Sequence, residues 1–375
     1  MDKKILVTAI VAIGVVAAIA GYMSYEGAGL GIGTVQITDM AGRTVSVPST
    51  INNIVVLYGP GYEKLVMLGA EDKIDACADF HKTHAAWAHI IYKKLDTLPA
   101  LSNPQAPNVE SVLNYNPNVV FWFGNDKYAA EMTNAKIPVI CSVGNNTSLD
   151  SEKTALMTYA QVLGPQAVQR AQKYIDYFNS KESNVTSITS TIHDSAKPKV
   201  YVTSGILLRT RGGNSQVRDT VEKAGGVYVS KDAPSGTNVI SYEQLLAWNP
   251  DIIIIDHAPD LPDPSQSATS NTSTASAIYA QIMNDSKLQN VSAVKNHKVY
   301  ISPEGAFFWD AGEQGILQLQ WMAKLFYPDK FKNINMTNVT EDFYSEFFNY
   351  NLTNEQTSMI LNHQLPPGAE KWGYK

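Results

Sequence analysis

Two stretches of the chain are near copies of one another. NVESVLNYNPNVVFWFG begins at Asn108, and SYEQLLAWNPDIIIID begins at Ser241. The copies align Glu110 with Glu243, Val112-Leu113 with Leu245-Leu246, Tyr115 with Trp248, Asn116-Pro117 with Asn249-Pro250, and residues 119–121 with 252–254. Each predicts a short helix, a stop and a buried strand. Proline disfavours helical geometry in the residue before it, so Asn116 and Asn249 end their helices, and the apolar runs that follow are short and rich in β-formers. A helix feeding a buried strand is half of a βαβ unit, which commits the chain to a parallel sheet with helices on both faces.

A quieter echo repeats the order. EKLVMLG (63–69) and DTVEKAG (219–225) each run from a carboxylate through helix-compatible residues to a glycine, where a helix ends in left-handed geometry. Two similar α/β lobes therefore lie on either side of residues 150–195. A separation of 133 residues between Glu110 and Glu243 excludes a solenoid, whose units recur every 20–50 residues. The 375 residues suit two domains better than one core.

Between the lobes, Gly164-Pro165 opens a helical pattern with apolar residues at Val168, Ala171, Ile175, Phe178, Val185 and Ile188. An unbroken helix from Pro165 to about His193 would be roughly 40 Å long at 1.5 Å per residue, a stiff rod that limits hinging. The predicted organisation is residues 1–33 as signal or anchor and tether, 34–164 as first lobe, 165–195 as lobe-spanning helix and 196–375 as second lobe.

MDKK is followed by an uncharged apolar stretch from Ile5 to Met23, long enough for a membrane-spanning helix. It reads either as an uncleaved anchor or as a secretory signal with a small-residue site at Ala18-Ile19-Ala20, and both export the remainder. Residues 26–33, EGAGLGIG, would be the tether. A formal charge of -6 and the lack of a Lys/Arg stripe argue against nucleic acid. Cys77 and Cys141 fit either a disulfide or two buried thiols. Sequons at Asn145, Asn184, Asn271, Asn284, Asn290, Asn335, Asn338 and Asn351 fit surface exposure. Neither a nucleophile elbow, a His-Glu-x-x-His pair nor a phosphate-cradling glycine loop is present, so an enzyme is not expected.

The ordered set VQITDMAGRTVSVP, GPGYEKLVMLGAEDKIDA, PNVESVLNYNPNVVF, the long helix, NSQVRDTVEKAGGVYVS, ISYEQLLAWNPDIIII and NVSAVKNHKVYISPEG resembles the solute-binding proteins of ABC importers for iron-siderophore, haem and corrinoid. It covers residues 35–365. The resemblance implies two Rossmann-like lobes with central parallel sheets, joined by a single long backbone helix, with a ligand cleft between them. It also implies an extracytoplasmic location, an ABC permease dimer with its ATPase subunits as partner, and a metal chelate as cargo with no covalently bound cofactor. An outer-face carboxylate on each lobe is expected to meet the permease, and Glu63 and Asp219 take those positions, Asp219 with a shorter reach than the usual Glu.

Ligands of such sheets bind beyond the carboxyl ends of the strands. That points to the loops after residues 54–57, 76–79, 119–123, 200–204, 252–256 and 299–302, and to Tyr58, Trp87, Trp122, Tyr128, Arg209, Arg211, His257, Phe308 and Trp309 as candidate ligand contacts. Arg209 and Arg211 could face one anion or be solvated strand-end charges. The aromatic residues could wall a planar ligand or belong to the core. His257 could ligate a metal or serve as a hydrogen-bonding side chain, and His81 with His84 at helical spacing could hold a divalent cation or lie at the surface. Besides a chelate, molybdate- or tungstate-like oxyanion and free divalent metal stay open, as does an anchored interaction protein with a degenerate cleft. Residues 260–276 read as a polar insertion at the cleft rim, and the C-terminal tail as two helices on the second lobe with a fraying end after Pro366-Pro367.

Overall fold

The computed structural model describes residues 33–79, 82, 85–101, 106–124, 126–144, 147–256 and 274–374. It opens on an antiparallel hairpin, β1 (Thr34–Thr38) and β2 (Thr44–Pro48). Asp39 at its turn accepts from the Arg43 guanidinium at 2.7 Å and from the Cys141 amide at 3.0 Å, which ties the hairpin to the first sheet.

The first lobe alternates strands and helices: β3 (Ile54–Val56), α1 (Gly59–Met67), β4 (Ile74–Ala78), α2 (Ala88–Ile91), β5 (Ala100–Leu101), α3 (Val109–Leu113), β6 (Val119–Trp122), α4 (Lys127–Asn134) and β7 (Val139–Cys141). Its five strands pair in parallel in the order β5-β4-β3-β6-β7. Every residue of β3, β6 and β7 is buried, as expected for strands covered by helices on both faces.

Two consecutive helices, α5 (Leu149–Leu163) and α6 (Pro165–Thr189), then lead to the second lobe. That lobe contains β8 (Lys199–Val202), β9 (Arg209–Arg211), α7 (Gln216–Lys223), β10 (Val227–Tyr228), β11 (Thr237–Val239), α8 (Tyr242–Trp248), β12 (Ile252–Ile255), α9 (Ala275–Asn284), α10 (Ser292–Lys295), β13 (Val299–Ile301), α11 (Gly315–Phe326), α12 (Met336–Phe348) and α13 (Asn354–Leu361). Its sheet is also parallel, in the order β10-β8-β12-β13, while β9 and β11 form a separate antiparallel ribbon. The molecule is thus a pair of Rossmann-like lobes joined by a long helix.

The duplicated phrase has the same backbone in both lobes. Asn108 caps α3 by accepting from the Ser111 amide, and Ser241 caps α8 by accepting from the Gln244 amide. α8 stops directly at Asn249 in left-handed geometry, φ 41°, whereas α3 ends at Leu113 and passes through a turn before the left-handed Asn116, φ 44°; in both copies the proline then turns the chain into a buried strand. Asparagine tolerates that region better than other side-chain-bearing residues. The quieter echo repeats this logic, with Gly69 at φ 74° and Gly225 at φ 89° just past α1 and α7.

The 25 residues of α6 span about 37 Å. It stops at Thr189, four residues before the expected end, where the Thr189 hydroxyl donates to the Lys223 carbonyl at 2.7 Å and a turn takes over. Ala167, Ala171, Tyr174, Phe178 and Val185 form its buried stripe. Cys77 and Cys141 are buried free thiols, both pushed up to about 12, chiefly by burial. They sit on β4 and β7, with β3 and β6 between them; three strand spacings, about 14 Å, are too far for a bridge.

The tail departs from expectation. Beyond α13 the chain returns to the first lobe rather than fraying: Gln364 accepts from the Trp87 indole at 2.9 Å, Trp372 stacks on His89 at 4.4 Å between centroids and donates to Asp96 at 3.0 Å, and Tyr374 is 1% exposed. Phe348 on α12 likewise meets Tyr92 of the first lobe at 5.9 Å. Burial of these rings, with the Trp87 and Trp372 indole N–H groups hydrogen-bonded, outweighs the turn-forming character of Pro366-Pro367. Among the described residues no helix is long and apolar enough to cross a membrane. The proposed anchor at 5–23 and most of the 260–276 insertion lie outside the described residues.

Candidate functional site

The carboxyl ends of the first-lobe strands and the β9–α7 segment of the second lobe face a shared cleft of about 750 Å³. From the first lobe come Tyr58 and Pro60 at the start of α1, Trp122 and Phe123 at the end of β6, Asp126 at the cap of α4, and Glu152 of α5. From the second come Arg211, the first turn of α7, and Phe307 and Asp310.

Local sequence explains this convergence. Gly61 is required because Tyr159 crosses α1 so closely that a Cβ would lie 2.6 Å from its hydroxyl. Gly212 is required because the backbone of Pro234 passes over it, leaving 1.7 Å between a Cβ and the Pro234 carbonyl oxygen. That close approach folds residues 212–236 back and leaves Arg211 at the cleft. The Arg211 carbonyl accepts from the Tyr228 hydroxyl at 2.7 Å, which fixes the strand end. Its guanidinium donates no hydrogen bond to the protein among the described residues.

Helix ends add to this. Ser215 caps α7, so the amino end of that helix opens on the cleft, where first-turn amides lack intrahelical acceptors and the dipole favours negative charge; α1 offers less, since Pro60 has no N–H and the Gly61 amide donates to the Tyr58 carbonyl at 3.0 Å. Asp126 is committed elsewhere: its carboxylate accepts from the Tyr128 and Ala129 amides at 3.0 Å and from the Trp122 indole at 3.1 Å. Burial, then Glu152, pushes the Tyr58 phenol well above its usual range, leaving a neutral hydroxyl at the rim. The edge of the Phe123 ring, 55% exposed, meets Tyr58 with centroids 5.7 Å apart.

Of the residues expected from sequence, Tyr58, Trp122 and Arg211 gather at the cleft. Others do not. Arg209 shares a strand face with Arg211, but its Nε is engaged by the Ser204 carbonyl; burial, then Arg211, lowers its pKa. Trp87 lies in the core against the C-terminal tail. Phe308 and Trp309 are 2% and 0% exposed; Trp309 donates to Gln314 at 3.1 Å, so both belong to the core. Tyr128 packs edge-on against Trp122 outside the cleft lining. His81, His84 and His257 lie outside the described residues. Among the described residues no group of three or more His, Cys, Asp or Glu is placed to hold a metal ion.

The docking expectation needs correction. Glu63 is 0% exposed and accepts from the Gln314 amide at 3.0 Å, so it cannot present a charge to a partner surface. Asp219 is one-quarter exposed and already holds Lys223 at 3.0 Å and the Leu149 amide at 3.0 Å; it joins α7 to the start of α5. First-turn acidity marks helix starts but says nothing about which face looks outward. Sequence reasoning also missed Phe123 and Asp126, although Asp126 stands three residues before Ala129 as a capping signal.

Comparison with known proteins agrees with this architecture. Residues 54–306 match the profile of the periplasmic binding protein family. The chain is 25% identical over 334 residues to the molybdate-binding protein MolA of Haemophilus influenzae, covering 83% of this chain and 90% of that protein. The structure of MolA bound to molybdate superposes with a TM-score of 0.72 at 22% identity, covering 85% of this chain and 99% of that one. A periplasmic solute binding protein from Veillonella parvula superposes at 0.71 with 24% identity, covering 89% and 98%. The protein of an Fe3+-hydroxamate transport system from Saccharomonospora viridis superposes at 0.60 with 16% identity, covering 78% and 99%. With two-thirds of its length inside the family profile and both lobes reproduced, the chain belongs to the periplasmic binding proteins of ABC transporters, the Fe/B12/siderophore type of extracytoplasmic solute-binding protein.

Proposed function

We propose that the protein captures an anionic, metal-containing solute in the interlobe cleft and delivers it to an ABC permease. The carrying observation is Arg211: a guanidinium without a protein acceptor among the described residues, at a cleft where the amino end of α7 also opens. Such a site favours carboxylate, phosphate or oxyanion groups over a bare cation. A chelate, such as a ferric siderophore, haem or corrinoid, suits the volume. Four oxyanion oxygens at about 30 Å³ each would occupy only about a sixth of the 750 Å³ cleft. The aromatic edge at Tyr58, Trp122, Phe123 and Phe307 also suits a larger ligand.

A molybdate- or tungstate-like oxyanion is the second reading, favoured by the Haemophilus relative and by the same arginine. Mass spectrometry of the native protein with its bound solute decides between them, because a chelate adds hundreds of daltons with an organic fragment pattern and a tetraoxoanion does not. A bound bare divalent cation would refute both.

For the permease contact the duplicated phrase supplies better candidates than Glu63 and Asp219. Glu110 and Glu243 are exposed first-turn carboxylates of α3 and α8. Each has an exposed leucine three residues on, Leu113 at 43% and Leu246 at 39%, while Val112 and Leu245 point into the core. An acid and a leucine on one helical face, repeated on both lobes, suit a partner of two like subunits. Attachment to the membrane through the N-terminal segment is part of the same proposal.

A further inference from the structure

Beneath the cleft, four ionisable side chains meet where the lobes touch. Lys64 of α1 contacts Glu152 of α5 at 2.6 Å and Glu313, in the turn leading to α11, at 3.0 Å, and Glu63 lies beside them with its carboxylate on the Gln314 amide at 3.0 Å. Lys64, Glu63 and Glu313 are 0% exposed and Glu152 is 7% exposed. The first lobe contributes Glu63 and Lys64, and the second contributes Glu313 and Gln314. Further contacts hold the seam: the Tyr174 hydroxyl of α6 donates to the Glu313 carbonyl at 2.8 Å, and the Tyr344 hydroxyl of α12 reaches Gln314 at 2.5 Å.

Charge counting constrains this cluster. One ammonium faces three carboxyl groups, so full ionisation would leave two uncompensated negative charges away from water, a state that buried groups avoid by retaining a proton. One oxygen of Glu63 receives no hydrogen bond, in keeping with a carboxyl that is not fully solvated as an anion.

We propose that this cluster is a proton-dependent lock between the lobes, closed when the Glu63–Glu313 pair holds a proton and loosened when the pair gives it up. The mechanism is electrostatic. With one proton held between Glu63 and Glu313, Lys64 offsets the charge that remains on the pair and draws the two lobes together. With that proton gone, Glu63 and Glu152 of the first lobe oppose Glu313 of the second across the seam. The groups facing Glu63 are Lys64 on its own helix, Glu152 on α5, Glu313 before α11, Tyr174 on α6, Tyr344 on α12 and Tyr92 just after α2. Burial dominates and pushes Glu63 up to about 7, while the Gln314 hydrogen bond and Lys64 pull the other way. Burial also raises Glu313 well above the usual carboxylate range, with Lys64 opposing. Lys64 stays charged, because Glu152 and Glu313 outweigh the downward pull of burial. All the tyrosines named are raised and stay neutral. The proton of the acid pair is therefore the one exchanged near neutral pH, and the two carboxyls titrate as a pair.

The lock belongs to the ligand-free protein, so its test is independent of the cargo. Spin labels on Asn52→Cys and Asn296→Cys, exposed positions on opposite lobes, report the interlobe distance by electron–electron resonance, with Cys77 and Cys141 too buried to react. The expected result is a distance distribution that widens between pH 6 and pH 8.5 with a midpoint near 7, and that is the same at both pH values in Glu63→Gln. Should that variant not fold, Glu313→Gln leaves Lys64 to Glu152 and Glu63, and the midpoint should fall by about one unit. Identical distributions at both pH values with Glu63 and Glu313 intact would overturn the proposal, as would a transition unmoved by either substitution.

Discussion

Replacing Lys64 by Met tests how far the interlobe seam depends on one buried ammonium. The side chain keeps its length and loses its charge, so Glu152 and Glu313 lose the cation that holds them at 2.6 and 3.0 Å. Removing one partner from a buried ion pair destabilises by about 3–5 kcal/mol, because the remaining charge is stranded away from water. At about 2–4 °C per kcal/mol, the midpoint of thermal unfolding should fall by about 6–20 °C at pH 8. The loss should shrink on acidification. In the variant the Glu313 carboxyl, raised by burial and no longer pulled down by Lys64, has a folded-state pKa above its unfolded value. The penalty is therefore fully present above the folded pKa and disappears as pH falls towards the unfolded one, near 4–5. Differential scanning calorimetry at pH 8 and pH 5.5 measures both quantities. Combining Lys64→Met with Glu152→Gln and Glu313→Gln removes the stranded charges and should recover most of the loss, since neutral replacement of a whole buried cluster is often tolerated. A loss under about 1 kcal/mol at pH 8, or one of equal size at pH 5.5, would refute the reasoning.

Arg211→Ala should weaken the affinity for an anionic solute by about 1.5–3 kcal/mol per charge-assisted hydrogen bond, roughly 10- to 150-fold by isothermal titration, with the fold intact by circular dichroism. Arg209→Ala should change affinity far less, since Arg209 is engaged by Ser204. Reversing Glu110 and Glu243 together to Arg should abolish uptake in cells while leaving solute affinity unchanged; weakened affinity would place those carboxylates in the cleft instead. Truncation after residue 365 should lower the thermal midpoint by several degrees, because it exposes the Trp372–His89 stack and the buried Tyr374 ring, together worth about 2–4 kcal/mol. An unchanged midpoint would mean that the tail is only loosely held.

Much of the fold is legible because its signals are local. Asn-Pro before a run of β-formers marks a helix stop and a buried strand whatever the remainder of the chain does, and both copies fold alike with asparagines in left-handed geometry. Gly164-Pro165 marks the start of the long helix for the same reason. The strand ends bordering the cleft also follow from the pattern, and with them Tyr58, Trp122 and Arg211. The ribbon of β9 and β11 escapes this reading. Its strands are three residues each, with no alternation long enough to register, and their pairing is enforced by the close backbone passage at Gly212.

The misplacement of Glu63 shows where local signals end. An acidic residue in a first helical turn carries the same sequence mark whether it faces water or a neighbouring lobe; only Gln314, 251 residues away, decides between the two. The same long reach applies to Trp87 and Gln364 and to Asp96 and Trp372, which bind the C-terminus to the first lobe. These contacts change the mechanical picture that the sequence suggests. A rod alone would leave the lobes free to bend about its ends, whereas here α6 is joined by the Asp219–Leu149 clasp, the charged seam under the cleft and the returning tail. Three constraints spread around the interface oppose rotation about more than one axis, so the cleft stands preformed. Affinity then rests on groups already in place, and a change in interlobe geometry requires loosening the seam itself, where the titrating carboxyls are.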